Sequence, residues 1–372
     1  MTAAQKGDKL VSDRKAQVAI ESNSRPGEMS EGDAIDGSPF GRRIFGLRNI
    51  ASILLTLIVL YLVYRELLGL DGREAWASVR GANAGLFMLA FAVFYCSFLV
   101  RAERWKALLA NVGYDRGAVR RMPSTLGLTR IMYVAWFANC LTIARLGDAY
   151  RGYLLKRAVG ASFVVTLGTV LAERLLDVSV LAAMMGAGLL VLFHGSLPTE
   201  ATQGLAVGLV LAAVGVLGLL SMRRLKGVVE RLLPKRLHAH YARLEHGVVC
   251  SFRSRLPLLV AYSAIGWVIE GATLYVIAAA VGTPVPVAGA LVVALAASLL
   301  TTVPITPAGL GFTEGGMVIM LQWLGLDIYT ASAVTLLFRV INYWSIVVFG
   351  FVLYVSSRSR NRLTEGRLGP HG

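Results

Sequence analysis

Residues 162–193 read SFVVTLGTVLAERLLDVSVLAAMMGAGLLVLF and place Glu173, Arg174 and Asp177 inside an otherwise apolar run. At the centre of a membrane helix each such charge costs roughly 2.5–3.5 kcal/mol, whereas a Leu, Val or Phe returns only about 0.3–0.6 kcal/mol. The run can therefore enter a membrane only if these three side chains face the protein interior or a wet cavity and find partners there. The pattern predicts a transmembrane helix with a buried charged cluster.

Helix geometry limits which of these charges can pair with one another. Arg174 and Asp177 are i,i+3 neighbours and can form an ion pair, whereas Glu173 and Asp177 lie at i,i+4 as like charges. One carboxylate therefore needs a cation from elsewhere, and we expect Arg145 or Arg339 to supply it. The alternative is an internal salt bridge that only fixes helix packing.

The composition of the whole chain agrees with a membrane location. Its mean hydropathy is +0.63, 56% of its residues are hydrophobic, and several runs of about twenty apolar residues predict an all-α, polytopic helical membrane protein with about eight spans. The net charge of +15 comes from Lys and Arg concentrated in particular loops, which the positive-inside rule explains without a nucleic acid partner. The cysteines and histidines show no ligand spacing, so we expect no metal and no other cofactor.

The chain divides into a mixed-charge tail at residues 1–44, a transmembrane domain at residues 45–355 and a basic tail at residues 356–372. The first tail lacks apolar runs and predicts disorder. Glu270 lies in a further apolar run and is either a functional residue or a protonated group that hydrogen-bonds between helices.

Loop charges predict how the spans are oriented. Residues 101–124, which begin with Arg101 and Arg104, and residues 222–256 are rich in Lys and Arg and are expected in the cytoplasm together with both termini. Residues 194–203 and 281–286 carry neither Lys nor Arg and are expected outside. The predicted location is the bacterial inner (plasma) membrane.

Two apolar segments are interrupted. Residues 126–143 have a basic far side, which favours a re-entrant or broken helix that lines a cavity. A second break precedes Glu314, whose carboxylate suits the positive end of a half-helix. The residues that break the helices are Gly147, Pro304, Pro307, Gly309 and Gly311.

The two interrupted segments share a pattern: residues 142–147 read TIARLG and residues 306–311 read TPAGLG. Further along, ERLLD at residues 173–177 aligns with FRVIN at residues 338–342, so that Arg339 and Asn342 occupy the places of Arg174 and Asp177. The loop charges make the first of these helices run outward and the second inward, which predicts an inverted internal repeat. The alternative is chance similarity between apolar segments.

Together, RLGDAYR at residues 145–151, ERLLD at residues 173–177 and PAGLGFTE at residues 307–314 resemble the flippase-like family, also called the lysylphosphatidylglycerol synthase transmembrane region. The resemblance covers roughly residues 45–355. Where the family often has Pro-Gly-Gly-Leu-Gly, this chain has Ala308. The best-known members also carry a soluble aminoacyltransferase domain, and here a short basic tail follows Val355. The resemblance therefore implies the lipid-translocating part without the lipid-modifying part.

We therefore expect a flippase, not an enzyme, that moves an anionic or head-group-modified lipid between leaflets. Arginines would hold phosphate or pair with acids, and the acids would balance the arginines or bind a cationic head group or a proton. The expected substrate-binding residues are Arg145, Asp148, Arg151, Glu173, Arg174, Asp177, Glu270, Glu314, Arg339 and Asn342, gathered around one polar cavity. Membrane lipids are the expected partners, and lipid-modifying enzymes are further candidates. The alternatives are an assembly protein of a lipid or polysaccharide pathway and a membrane-embedded transferase; the oligomeric state is left open.

Overall fold

The computed structural model describes residues 72–115, 122–142, 146–194, 226–232, 234–301 and 309–353, with isolated positions at 117, 119 and between 210 and 224. Its helices are α1 (Gly72–Gly81), α2 (Ala84–Asn111), α3 (Thr125–Leu141), α4 (Leu146–Val159), α5 (Phe163–Leu192), α6 (Lys226–Leu232), α7 (Lys235–Cys250), α8 (Leu256–Ala280), α9 (Val287–Leu300), α10 (Phe312–Trp323) and α11 (Ile328–Arg339). After α11 the helix continues through a π-helical turn, Val340–Trp344, to Leu353. Within these residues the fold is all-α, as predicted.

Four of the described helices are long and apolar enough to cross a membrane: α2, α5, α8 and the continuous helix Ile328–Leu353. At 1.5 Å per residue even the 25 residues of α8 extend about 37 Å, against a hydrocarbon core of about 30 Å. The polytopic membrane architecture is therefore confirmed. Both predicted tails lie outside the described residues, as do the apolar run at residues 50–64 and most of the apolar run at residues 204–220. The number of about eight spans therefore stays a prediction.

The predicted loop at residues 101–124 is wrong over its first part. Residues 101–111 continue α2, and Arg101 and Arg104 are only 4% and 1% exposed. Lys and Arg usually mark a membrane boundary, which is why the charge pattern predicts the end of the helix here. Carboxylates on other helices instead pair with both arginines, so the helix keeps them inside the protein.

Both predicted breaks separate a pair of short helices. α9 and α10 have 14 and 12 residues, or about 21 and 18 Å, too short to cross the hydrocarbon core one by one. They form an antiparallel hairpin, because the Cβ position of Gly289 lies 2.8 Å from Leu324 and that of Gly316 lies 2.5 Å from Leu300. The start of one helix thus faces the end of the other.

α3 and α4 form the other pair, joined by residues 142–145. Gly147, in the first turn of α4, lies so close to α3 that a Cβ there would fall on the carbonyl oxygen of Ala135 and 2.8 Å from the amide nitrogen of Asn139. Only a glycine permits this approach. α4 therefore packs back on the last two turns of α3.

α2 and α8 pack against each other and run antiparallel. At one end the amide of Asn83 donates to the carbonyl of Ala280 at 2.7 Å. At the other end Nδ2 of Asn111 donates to the carbonyls of Ser251 and Ser254 at 2.7 and 2.9 Å. Each helix therefore begins beside the end of its neighbour.

The order of elements repeats. A long helix, a short-helix pair and a second long helix occur as α2, α3–α4 and α5, and again as α8, α9–α10 and α11. Because α2 and α8 are antiparallel, the two first helices of these halves point in opposite directions. This arrangement agrees with the inverted repeat that the sequence predicts.

The last long helix starts at a conventional cap. Oδ1 of Asp327 accepts hydrogen bonds from the amides of Tyr329 and Thr330 at 2.9 and 3.1 Å, which satisfies donors that a helix start leaves unpaired. Hydrogen bonding from Thr330 lowers the pKa of Asp327. The cap therefore fixes where α11 leaves the turn after α10.

Candidate polar site inside the helix bundle

The cations that balance Glu173 and Asp177 come from α2 and α4. Arg104 donates to Oε1 of Glu173 at 2.7 Å, to Oδ2 of Asp177 at 3.0 Å, and through Nη1 to Oδ1 of Asp177. Arg151 donates to Oε2 of Glu173. The expectation that Arg339 would serve Glu173 is therefore wrong, and Arg145 lies outside the described residues.

Arg174 pairs with α4 and not with its i,i+3 neighbour Asp177. Its Nε and Nη2 donate to the two carboxylate oxygens of Asp148 at 3.1 and 3.0 Å, a bidentate contact. Nδ2 of Asn139 on α3 donates to the same carboxylate at 3.1 Å. The Arg174 side chain is 27% exposed, whereas Arg104 and Arg151 are almost fully buried.

Glu270 on α8 has an arginine partner that the sequence interpretation missed. Nη2 of Arg101 donates to Oε1 of Glu270 at 2.5 Å, and Oγ of Ser298 donates to the other oxygen at 2.7 Å. The Arg101 guanidinium also lies 5.0 Å from the ring centre of Trp136 and 5.3 Å from that of Trp267, within cation–π range. Glu270 is therefore an ion-paired residue that links α8 to α2 and α9.

Arg339 and Glu314 form the equivalent contact in the second half. Nε of Arg339 donates to Oε1 of Glu314 at 2.6 Å, and Oε2 accepts the amide of Gly311 at 2.6 Å. Gly311 precedes α10 with φ of 89°, a conformation that favours glycine. Glu314 is the third residue of α10, as Asp148 is of α4. In each half, therefore, an acid in the first turn of the second short helix binds an arginine of the next long helix.

These groups surround one cavity of about 160 Å³. Among the residues expected to bind substrate, those that line it are Arg174, Asp177, Glu270, Arg339 and Asn342. Thr142 and Thr301, which border the two breaks, line it as well. Residues beside both interrupted segments thus line the same cavity, and the two halves of the chain form it together.

The other expected residues lie outside the lining. Asp148 pairs with the lining residue Arg174, and Glu314 pairs with the lining residue Arg339. Glu173 binds both Arg104 and Arg151, which are buried beside the cavity. Gly309, with φ of 66°, follows the second break. Arg145, Pro304 and Pro307 fall outside the described residues. A substrate-binding role stays a prediction for every residue of the set.

The charges of the described network balance. Its arginines are Arg101, Arg104, Arg151, Arg174 and Arg339, and its carboxylates are Asp148, Glu173, Asp177, Glu270 and Glu314. Each member has at least one oppositely charged partner within salt-bridge distance. Because an unpaired charge inside an apolar bundle is strongly destabilising, this pairing is what allows ionised groups to surround the cavity.

Four polar atoms on cavity-lining residues remain without a hydrogen-bond partner within the described part of the chain. Two are donors, Nε of Arg101 and Nε1 of Trp267, and two are acceptors, Oδ1 of Asn139 and Oδ1 of Asn342. Buried polar atoms of this kind normally bind water or a ligand. Each of these four atoms has less than 1 Å² of accessible surface, so they lie behind the cavity wall and would reach a bound molecule only if the lining side chains moved.

Comparison with known proteins places these features in a family. The model of the lysylphosphatidylglycerol synthase transmembrane region matches residues 49–350. A UPF0104 membrane protein of Methanocaldococcus jannaschii is 33% identical over 218 residues, which cover 59% of this chain and 93% of that protein. A second one, from Methanothermobacter thermautotrophicus, is 24% identical over 73% of this chain and 86% of its own length. Glycosyltransferase AglD of Haloferax volcanii is 26% identical over 71% of this chain, which corresponds to 47% of AglD.

Proposed function

Because this chain belongs to the lysylphosphatidylglycerol synthase transmembrane-region family, we propose that it is a lipid transporter that carries a polar head group between the two leaflets of a membrane. The observation that supports this most directly is the cavity, which five ion-paired residues line within an apolar helix bundle. A head group crossing hydrocarbon needs polar contacts of this kind. The acyl chains would stay in the hydrocarbon core of the bilayer.

The arrangement of the helices supports a transport mechanism by alternating access. Antiparallel halves with short-helix pairs that reach a shared cavity have the organisation of transporters built from inverted repeats. Rocking one half against the other would expose the cavity to one leaflet at a time. In this proposal α2 and α8, held together at both ends, form the axis of that motion.

Arg174 is the residue we propose for phosphate binding. Its side chain is the most exposed among the ion-paired arginines that line the cavity, and Asp148 binds its Nε and Nη2. The remaining amino group, Nη1, can then bind a phosphate oxygen. A planar guanidinium suits this contact better than an ammonium group does. We place the protein in a plasma membrane with both termini in the cytoplasm.

Translocation can be measured in vesicles that contain the purified protein and an acyl-labelled fluorescent phosphatidylglycerol. A reagent that quenches only the labelled lipid in the outer leaflet should reveal lipid exchange between the leaflets that is faster than in vesicles without the protein. Arg174→Lys keeps the charge beside Asp148 but loses the bidentate geometry, so the exchange rate should fall about tenfold, equivalent to roughly 1.4 kcal/mol. Arg253→Lys, at an exposed position before α8, is the matched control and should leave the rate unchanged.

Two other outcomes would assign a different function. Folded protein that gives no exchange above empty vesicles would favour an assembly protein of a lipid pathway. A lipid whose mass changes during the incubation would favour the transferase alternative. Neither result is expected if the cavity carries head groups unchanged.

A further inference from the structure

We infer that the acyl chains of the transported lipid pass through two equivalent side entrances to the cavity, of which this structure holds one open and one closed. The first entrance lies between α5 and α9, at Val178 and Leu299. The second entrance lies between α3 and the helix that continues α11, at Cys140 and Tyr343. This route depends on the proposed function and specifies how the lipid reaches the site.

The two long helices present equivalent residues to the cavity. Arg174 and Arg339 are each the twelfth residue of their helix, α5 or α11 (174 − 162 and 339 − 327), and both line the cavity. The residues three and four positions further along line it too, and these are Asp177 and Val178 after Arg174, and Asn342 and Tyr343 after Arg339. The same surface of each long helix therefore borders the cavity.

The first short helix of each pair also presents equivalent residues. α3 ends at Leu141 and α9 ends at Leu300. In both helices the cavity is lined by the two residues that precede this last one and by the one that follows it, namely Asn139, Cys140 and Thr142 in α3 and Ser298, Leu299 and Thr301 in α9. The repeat thus gives the cavity two equivalent sides.

Each side of the cavity joins a long helix of one half to a short helix of the other. A Cβ at Gly188 of α5 would lie 2.8 Å from Val292, so α5 packs against α9. A Cβ at Gly350 would lie 2.6 Å from Phe137, so the helix that continues α11 packs against α3. Motion of one half against the other would therefore change both of these contacts.

The two entrances differ in how far they are closed. Val178 is 37% exposed, more than any other residue that lines the cavity, whereas its equivalent Tyr343 is 7% exposed. Leu299 is partly exposed, whereas its equivalent Cys140 is 7% exposed. The hydroxyl of Tyr343 donates to the carbonyl of Cys140 at 3.5 Å. The first entrance is therefore open and the second is closed by Tyr343.

Tyr343 also covers the arginine on its side of the cavity. Its ring centre lies 4.9 Å from the Arg339 guanidinium, and the Arg339 side chain is 3% exposed. Arg174 has the smaller Val178 at the equivalent place and is 27% exposed. In the opposite state of the transporter, Tyr343 would move away from Arg339 and the first entrance would close.

An acyl chain is the group that suits the first entrance. Val178 lies about 20 Å from either end of the 30-residue helix α5, so a hydrocarbon core of about 30 Å includes it wherever along the helix the core lies. The apolar side chains of Val178 and Leu299 favour contact with hydrocarbon over contact with a polar head group. Arg174 lies one helix turn from Val178, where it can bind the phosphate of the same lipid.

Cross-linking of each entrance tests this route in the vesicles with labelled phosphatidylglycerol. In a chain whose other cysteines are replaced, Val178→Cys with Leu299→Cys links the first entrance, and Tyr343→Cys with the native Cys140 links the second. A flexible, reducible bifunctional thiol reagent should lower exchange to the rate of vesicles without the protein in both cases, and a reducing agent should restore it. Each protein is compared with itself before treatment, so a folding defect cannot imitate the loss.

Asn111→Cys with Ser254→Cys is the matched control. The hydroxyl of Ser254 donates to Oδ1 of Asn111 at 2.6 Å, so the same reagent can link these positions. They join the end of α2 to the turn before α8, away from both entrances. Treatment of this variant should leave its exchange rate unchanged.

Thiol reactivity gives a measurement that does not depend on transport. Leu299→Cys, in a chain without other cysteines, should react with a small maleimide about tenfold faster than a lone native Cys140, because the closed second entrance must first open to a minor state. Tyr343→Ala should raise the reactivity of Cys140 toward that of Leu299→Cys. Equal reactivity of the two thiols with Tyr343 present would overturn the assignment of one open and one closed entrance.

Failure of this route is distinguishable from failure of the proposed function. Exchange that continues in protein fully cross-linked at either entrance would overturn the route and leave the transporter in place. An equal loss in the control variant would show that any link within the bundle stops exchange, which would overturn the assignment to these two entrances. No exchange by folded wild-type protein would overturn both the route and the proposed function.

Discussion

Single residues decide how charge is tolerated inside this bundle. Arg174 could reach either Asp177 on its own helix or Asp148 on α4, and it binds Asp148 with two parallel hydrogen bonds. Asp177 is left to Arg104, which also binds Glu173. A bidentate contact between helices satisfies a planar guanidinium better than a contact within one helix turn.

This pairing predicts a specific rescue. Arg174→Gln leaves Asp148 without its cation and should destabilise the protein, by an amount below the roughly 3–5 kcal/mol typical of fully buried pairs because both side chains are partly exposed. Adding Asp148→Asn should restore most of the thermal stability of the purified protein. Asp177→Asn in the same background is the control and should not restore it, since Asp177 belongs to Arg104. Rescue by Asp177→Asn alone would contradict the pairing.

The sequence identifies the acids more readily than their cations. Glu173, Asp177 and Glu270 stand out because each interrupts an apolar run, and all three prove to be ion-paired within the bundle. Arg101 and Arg104 are harder to recognise because they follow such a run directly, where basic residues usually mark the membrane surface. Two signals could have revealed them: they lie three residues apart on one helix face, and the buried acids outnumber the cations assigned to them.

At the scale of elements, local sequence signals make the breaks predictable. The basic far side of residues 126–143 indicates the first interruption, and the prolines and glycines before Glu314 indicate the second, without knowledge of the fold. How the short helices pack depends on contacts over longer distances. The antiparallel α9–α10 pair depends on close contacts at Gly289 and Gly316. The sequence does not indicate which residues these glycines contact.

Gly147 should be essential for the α3–α4 pair. A methyl group there would fall on the backbone of Ala135, which cannot move aside without disturbing α3. Gly147→Ala should therefore lower stability by about 1–3 kcal/mol, seen as a lower Tm. Gly315→Ala is a close control in the first turn of α10, where an added Cβ meets nothing within 4 Å. That change should be neutral or slightly stabilising, and equal Tm values for the two variants would argue against a close α3–α4 contact.

At the scale of the whole molecule, the structure supports the relation between the two halves more strongly than the sequence does. The shared sequence pattern pairs Gly147 with Gly311, 164 positions apart (311 − 147), whereas the equivalent acids Asp148 and Glu314 are 166 apart (314 − 148). Side-chain function has thus shifted by two residues within the repeat. A sequence match in short apolar segments cannot show such a shift, because many registers fit an apolar pattern equally well. The paired acid–arginine contacts define the correspondence instead.

The orientation of the halves can be tested through α8. This helix is long enough to cross the membrane, so the turn before it, at residues 251–255, and the turn after it, at residues 281–286, should lie on opposite sides. Asn111 at the end of α2 binds the first of these turns. Arg253 and Arg255 place the first turn in the cytoplasm by the positive-inside rule. In a chain without its native cysteines, Pro284→Cys should react with a membrane-impermeant reagent in intact cells, and Arg253→Cys should react only after the membrane is opened. The reverse pattern would invert the assigned topology, and labelling of both positions from one side would show that α8 does not cross.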